Sequence, residues 1–143
     1  MKIKKTILNI ALASLGIFLA LFFLTGFYEG TVGSDGAMLK QYLPPEKLKE
    51  LVDKPNNSIW IIDTRPTSKY QKGHIPTAKS FPSSTILSRL GELPKDKYLI
   101  LYCETGIRAD WKVMNQLEKQ GYTRLMVWGG ISRWPYELVK EAQ

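Results

Sequence analysis

The sequence contains one cysteine, Cys103, and the residues around it are of the kinds that activate a thiol. The segment from Cys103 to Arg108 lies between an apolar run and a helical pattern, so its backbone N–H groups and the positive helix end would face the sulfur. Gly106 allows a positive φ angle or a close backbone approach, and Arg108 adds a permanent cation. Helix ends and cations lower the pKa of such thiols, whereas Glu104 acts in the opposite direction. The pattern predicts a reactive thiolate in preference to an inert buried cysteine.

Three short apolar runs must position this cysteine, and each ends at a residue suited to a functional site. Residues 59–62 end at Asp63, residues 98–102 end at Cys103, and residues 125–128 end at Gly129-Gly130. Continuous apolar runs are typical of strands covered on both faces, as in a parallel sheet. Ligands of such sheets bind outside the carboxyl ends of the strands, so we expect these three ends to form one site.

Helical patterns alternate with these runs. Pro44-Pro45 opens a short helical pattern through Val52, and residues 109–120 form an amphipathic pattern that stops at Gly121. A final helix is predicted over residues 131–139. Alternation of strands and helices predicts an α/β domain with a mostly parallel sheet and right-handed crossovers.

The N-terminal part of the chain has a different composition from the rest. Residues 7–27 include 16 apolar side chains among 21 and carry no charge, and three lysines precede them. As a helix this run would be about 30 Å long, enough to cross a bilayer. The positive-inside bias predicts a single-pass anchor with the domain on the extracytoplasmic side, and a cleaved signal peptide is the alternative. We therefore assign residues 1–28 to a membrane or signal segment, 29–40 to a Gly/Ser-rich linker and 41–143 to the domain.

Overall composition excludes several functions. The chain has 143 residues, 44% of them apolar, and a net charge of +7. A single cysteine excludes an intramolecular disulfide and a zinc site built from several thiolates of one chain, and a single histidine disfavours a histidine-based metal site. Nucleic-acid binding has no motif in its favour beyond basicity. The excess positive charge would weakly attract small anions.

Residues 41–143 resemble the rhodanese-like family in its single-domain form. The resemblance covers the whole part of the chain that follows the linker, and its parts occur in the expected order. They are Ile61-Ile62-Asp63-Thr64-Arg65, Tyr70 with Gly73-His74-Ile75-Pro76-Thr77-Ala78, Tyr102-Cys103-Glu104-Thr105-Gly106-Ile107-Arg108, Gly121-Tyr122, and Trp128-Gly129-Gly130-Ile131-Ser132-Arg133-Trp134-Pro135. Thr77 departs from the pattern because the family usually has glycine at this position.

The resemblance implies a three-layer α/β domain and a sulfurtransferase. Cys103 would be the nucleophile that takes a sulfane sulfur from a small anionic donor such as thiosulfate, and its persulfide would pass the sulfur to a thiol or cyanide. Anions would be held by the loop amides of Glu104, Thr105, Gly106, Ile107 and Arg108. No metal and no cofactor is implied. Because the chain has no second cysteine, another molecule must discharge the persulfide.

Supporting roles and alternatives remain to be distinguished. Asp63 and Arg65 are expected to order the adjoining loops, and His74 to be hydrogen-bonded for structural reasons. Arg108 would either bind donor oxyanions or brace the loop through a carboxylate. Four residues separate Cys103 from Arg108, whereas related phosphatases carry five, which favours sulfur over phosphate. A noncatalytic module that binds a partner or senses redox state is the alternative function. Trp111 is a candidate for an exposed aromatic edge beside the site.

Overall fold

The domain is built on a four-stranded parallel sheet. A computed structural model describes residues 30–106 and 109–141, without the side chains of residues 109 and 110. The strands are β1 (Ile59–Asp63), β2 (Lys79–Ser80), β3 (Tyr98–Cys103) and β4 (Leu125–Gly130), in the order β2-β1-β3-β4. The three apolar runs therefore form β1, β3 and β4, as predicted, and the parallel sheet is confirmed. The short strand β2 was not predicted, because its two residues have no apolar pattern.

Helices cover both faces of this sheet. They are α1 (Pro45–Asp53), α2 (Thr67–Lys72) and α3 (Ala109–Lys119), and three 3-10 helices span Ala37–Tyr42, Ile86–Glu92 and Ile131–Arg133. Proline in the first turn opens α1, and Gly121 follows α3 with a φ of +85°, as the sequence predicts.

Alternate side chains of the strands form two separate hydrophobic cores. Ile100, Tyr102 and Trp128 belong to the core that α1 covers, and Leu101 and Val127 belong to the core that α3 covers. Strands buried on both faces explain why each run is continuously apolar. The two cores and the sheet between them make the three-layer α/β arrangement that the family resemblance implies.

Residues 30–40 differ from the linker that their composition predicts. Gly30 N–H donates to Val127 O at 2.8 Å, Val127 N–H donates to Thr31 O at 2.9 Å, and Gly33 N–H donates to Leu125 O at 2.9 Å. The segment thus runs antiparallel along the free edge of β4, and Leu39 at its end is fully buried in the core. Glycines indicate a linker in sequence, but here Gly33 allows close approach, since a Cβ on it would lie 2.5 Å from Thr123 O.

The prediction of a helix over residues 131–139 is wrong. Only Ile131–Arg133 is helical, as one 3-10 turn, and Trp134 is extended with φ −84° and ψ 105°. Pro135 explains the difference, because the ring of proline disfavours the helical conformation of the residue before it. The chain continues as an extended segment in which Val139 and His74 exchange two backbone hydrogen bonds of 2.9 and 3.0 Å.

The predicted segment over residues 1–28 lies outside the residues that the structure describes. Within residues 30–106 and 109–141, no helix is both long enough and apolar enough to cross a bilayer.

Candidate active site

The ends of β1, β3 and β4 lie side by side at one edge of the sheet. Asp63 is in register with Tyr102, and Cys103 is in register with Gly130. This confirms that the three strand ends nominated from the sequence meet at one place. We call it the carboxyl edge of the sheet.

Cys103 is the last residue of β3, and its side chain is almost fully buried. The loop that follows turns back over the sulfur, so that the Gly106 N–H donates a hydrogen bond to Sγ at 3.0 Å. An N–H group in this position stabilises a thiolate more than a thiol. The Gly106 N–H is therefore a preorganised donor aimed at the sulfur of Cys103.

Two glycines allow the loop to curl this tightly. Gly106 has a φ of +72°, and a Cβ on it would lie 2.5 Å from Gly130 N. A Cβ on Gly130 would lie 2.7 Å from the carbonyl carbon of Thr105. The sequence predicts a positive φ or a close backbone approach at Gly106, and the structure has both. The loop packs directly against the backbone of Gly130.

The remaining loop residues are placed only in part. Glu104 and Thr105 are exposed, whereas Gly106 is buried. Ile107 and Arg108 lie outside the described residues, so the two roles considered for Arg108 stay predictions. Helix α3 begins at Ala109, directly after the loop, and its positive end is adjacent to the loop in sequence.

A buried ion pair supports the loop from the neighbouring strand. Asp63 is fully buried and Arg65 is 5% exposed, and their closest N–O distance is 2.6 Å. Arg65 also donates to Gly73 O at 2.7 Å, which joins the end of β1 to the segment after α2. With this little exposure, the pair favours the predicted role of ordering loops over direct contact with a substrate.

Tyr102 completes this network and was not predicted. Its hydroxyl donates to Asp63 Oδ2 at 2.7 Å and accepts from Ile75 N–H at 3.2 Å. Burial raises the pKa of Tyr102 above its usual value, and the negative charge of Asp63 and the hydrogen bond to it raise it further. A tyrosine at the last position of the apolar run, directly before Cys103, is a sequence signal that could have identified it.

Cations from two other elements face the carboxylate of Glu104. Lys69 Nζ lies 3.4 Å from one oxygen and Arg65 NH1 lies 3.6 Å from the other. The sequence predicts that Glu104 opposes ionisation of the neighbouring thiol, and these cations partly offset its charge. Because Glu104 is half exposed, the ion pairs are weak. Lys69 was missed, since no local pattern connects residues 35 positions apart.

His74 is held in a structural arrangement. Its Nδ1 lies 2.9 Å from Tyr70 O, and its ring stacks on the Tyr70 ring with centroids 3.7 Å apart. The side chain is buried, and its backbone pairs with Val139. These contacts favour the structural role expected for His74. Residues 30–106 and 109–141 contain no group of three or more potential metal-binding side chains.

Known proteins resemble this chain over most of the domain just described. The family model of the Rhodanese-like domain matches residues 44–136. A protein of Allochromatium vinosum named "Sulfurtransferase" is 34% identical over 77 residues, which is 53% of this chain and 71% of that protein. The MoeZ protein of Mycobacterium tuberculosis, named a probable adenylyltransferase/sulfurtransferase, is 29% identical over 76% of this chain. The match spans only 29% of MoeZ.

A solved structure gives the same result for the fold. The crystal structure of a rhodanese-like domain protein from Staphylococcus aureus has a TM-score of 0.60 and 28% sequence identity. The similarity covers 68% of this chain and 95% of that chain.

Proposed function

This chain belongs to the Rhodanese-like domain family, and from that membership we propose that it is a sulfurtransferase whose Cys103 carries sulfur as a persulfide. Relatives named sulfurtransferases support sulfur transfer at the level of the family. The observation that carries the proposal for this chain is the Gly106 N–H aimed at Cys103 Sγ, 3.0 Å away.

The first half-reaction loads the cysteine. The Cys103 thiolate attacks the sulfane sulfur of a donor such as thiosulfate, a new S–S bond forms, and the donor's own S–S bond breaks. Sulfite leaves with the electron pair of that bond, and the terminal sulfur of Cys103 then carries the negative charge. An N–H donor held beside the sulfur stabilises negative charge there without reorganisation. The other loop amides would serve the oxyanion of the donor.

The second half-reaction removes the sulfur from Cys103. A thiolate or cyanide attacks the terminal sulfur of the persulfide, takes it, and leaves Cys103 as a thiolate. The sequence has no second cysteine that could attack the persulfide within the same chain. The acceptor therefore has to be another molecule.

We further propose that residues 7–27 anchor the chain in a membrane, with the domain on the extracytoplasmic side. Their length, their lack of charge and the three preceding lysines support this proposal. The alternative is a signal peptide that is cleaved. Mass measurement of the mature protein separates the two, because cleavage would remove the N-terminal segment.

Incubation with thiosulfate followed by mass spectrometry of the intact protein tests the transfer. We expect wild type to gain the mass of one sulfur atom, and Cys103→Ala and Cys103→Ser to gain nothing. Added cyanide should return wild type to its original mass and release thiocyanate. No gain with thiosulfate or with several other sulfane donors would refute the proposal and favour a noncatalytic module that binds a partner.

A further inference from the structure

We infer that the carboxyl edge of the sheet, which holds Cys103, faces the lipid surface of the membrane. The inference rests on the membrane anchor proposed above for residues 7–27. It concerns the orientation of the domain and is independent of the identity of the sulfur donor. It would bring Cys103 close to thiols presented at the membrane surface.

The direction of residues 30–36 carries the argument. Gly30 pairs with Val127, and Asp35 pairs with Thr123 through an Asp35 N–H to Thr123 O bond of 3.0 Å. Strand β4 runs from Leu125 toward the carboxyl edge, so the antiparallel segment runs away from that edge. From Asp35 back to Gly30, which is the direction of the proposed anchor, the chain therefore approaches the carboxyl edge.

Chain length then limits how far the site can be from the membrane. Val127 lies three residues before Gly130, the partner of Cys103, which is about 10 Å along a strand. The predicted span ends at Phe27, three residues before Gly30, a distance of at most about 10 Å for an extended chain. The two distances are similar, so a chain that continues in the same direction before Gly30 would place the membrane boundary close to the level of Cys103. Asp35 pairs with Thr123, four residues before Val127, so entry at Asp35 would have placed the site roughly 13 Å farther away.

The attachment of this segment keeps the entry point in place. Several backbone hydrogen bonds join residues 30–35 to β4 and to Thr123, and Leu39 is fully buried in the core. A Cβ on Gly36 would overlap Leu125 O, which shows how closely the two backbones approach. Residues 30–35 of the predicted linker are therefore held along the edge of β4 and do not act as a flexible tether.

The two ends of the sheet also differ in chemistry. Lys95, Lys97 and Arg124 lie at the amino end, where they donate to backbone carbonyls beside the strand starts. Leu87 and Trp111 belong to segments that follow the carboxyl ends of β2 and β3, and each is 40% exposed. Tryptophan is enriched at membrane–water interfaces, where its apolar ring and N–H group are both accommodated. Two of the exposed apolar side chains of the described residues therefore belong to segments that leave the carboxyl edge.

Fluorescence quenching on vesicles tests the orientation. The full chain carries one cysteine, so in a Cys103→Ser background a single fluorophore can be attached through Leu87→Cys or Trp111→Cys, with Lys95→Cys as the control at the opposite end. Vesicles contain a lipid with a nitroxide on its headgroup. We expect several-fold stronger quenching at positions 87 and 111 than at position 95. Equal quenching, or stronger quenching at position 95, would overturn the inference.

Flotation of the same samples separates this result from failure of the anchor. Protein that floats with the vesicles and shows the reverse quenching order retains the anchor and refutes the orientation. Protein that does not float refutes the anchor and the orientation with it. Persulfide formation by wild type in detergent is measured separately and tests the sulfurtransferase proposal in either case.

Discussion

Replacement of Gly106 by alanine tests how far the loop geometry controls the chemistry of Cys103. The added Cβ would lie 2.5 Å from Gly130 N and 2.9 Å from two atoms of Gly129. All three are backbone atoms, so no flexible side chain can move away. Either the loop or the end of β4 has to shift, and a shift of the loop carries the Gly106 N–H away from Sγ.

Two contributions set the magnitude. A side chain in the left-handed region costs about 1–2 kcal/mol, and the overlap adds strain or displaces the loop. A hydrogen bond to a charged atom contributes about 1.5–3 kcal/mol, and its loss corresponds to a roughly 10- to 100-fold lower rate of thiolate attack. We therefore expect Gly106→Ala to lower the rate of persulfide formation by one to two orders of magnitude and to reduce stability as well.

Gly121→Ala is the matched control. Gly121 also has a positive φ, +85°, but the nearest atom to its Cβ position is the mobile Lys95 Nζ at 3.6 Å. This variant should lose about 1 kcal/mol of stability and keep the wild-type rate. The assays are urea unfolding and the rate of mass gain with thiosulfate. A folded Gly106→Ala protein that forms persulfide as fast as Gly121→Ala would refute the reasoning.

Three further predictions concern stability. Thr77 has a φ of +69°, which is costly for a β-branched residue. In urea unfolding, Thr77→Gly should therefore have unchanged stability or a gain of up to about 1 kcal/mol, whereas Thr77→Val, which keeps the branched side chain, should show no gain. A clear loss of stability in the glycine variant would show that the strain is absent. Asp63→Asn leaves the Arg65 charge buried without its main partner, and urea unfolding should show a loss of about 3–5 kcal/mol, against little change for the exposed Asp53→Asn; equal effects of the two would contradict the buried-pair argument. Tyr102 has a pKa raised above 10, so above pH 10 the unfolded state loses a proton that the folded state keeps, and stability falls by up to about 1.4 kcal/mol per pH unit; a Tyr102→Phe protein should show a shallower decline in urea midpoint above pH 10, and an unchanged slope would contradict the shift.

Local patterns determined the elements that carry the site. Burial on both faces of a strand requires a continuous apolar run, so the sequence predicts strands over residues 59–62, 98–102 and 125–128. All three are strands. The meeting of Asp63, Cys103 and Gly130 at one edge follows from parallel pairing alone. Gly106 could be identified as well, because a loop that curls back over a sulfur needs backbone conformations that glycine adopts readily.

Only the tertiary structure decided which groups meet across long separations in sequence. Tyr102 donates to Asp63 across 39 positions, and Lys69 faces Glu104 across 35. Residues 30–36 are a second example. Their glycines predict a linker, and only the structure shows that this segment pairs with the edge of β4. A sequence pattern reports the burial and period of its own segment, whereas a hydrogen-bond partner depends on register and chain path. The position of Cys103 at the carboxyl edge could therefore be predicted from the sequence, but the direction in which the chain approaches that edge could not.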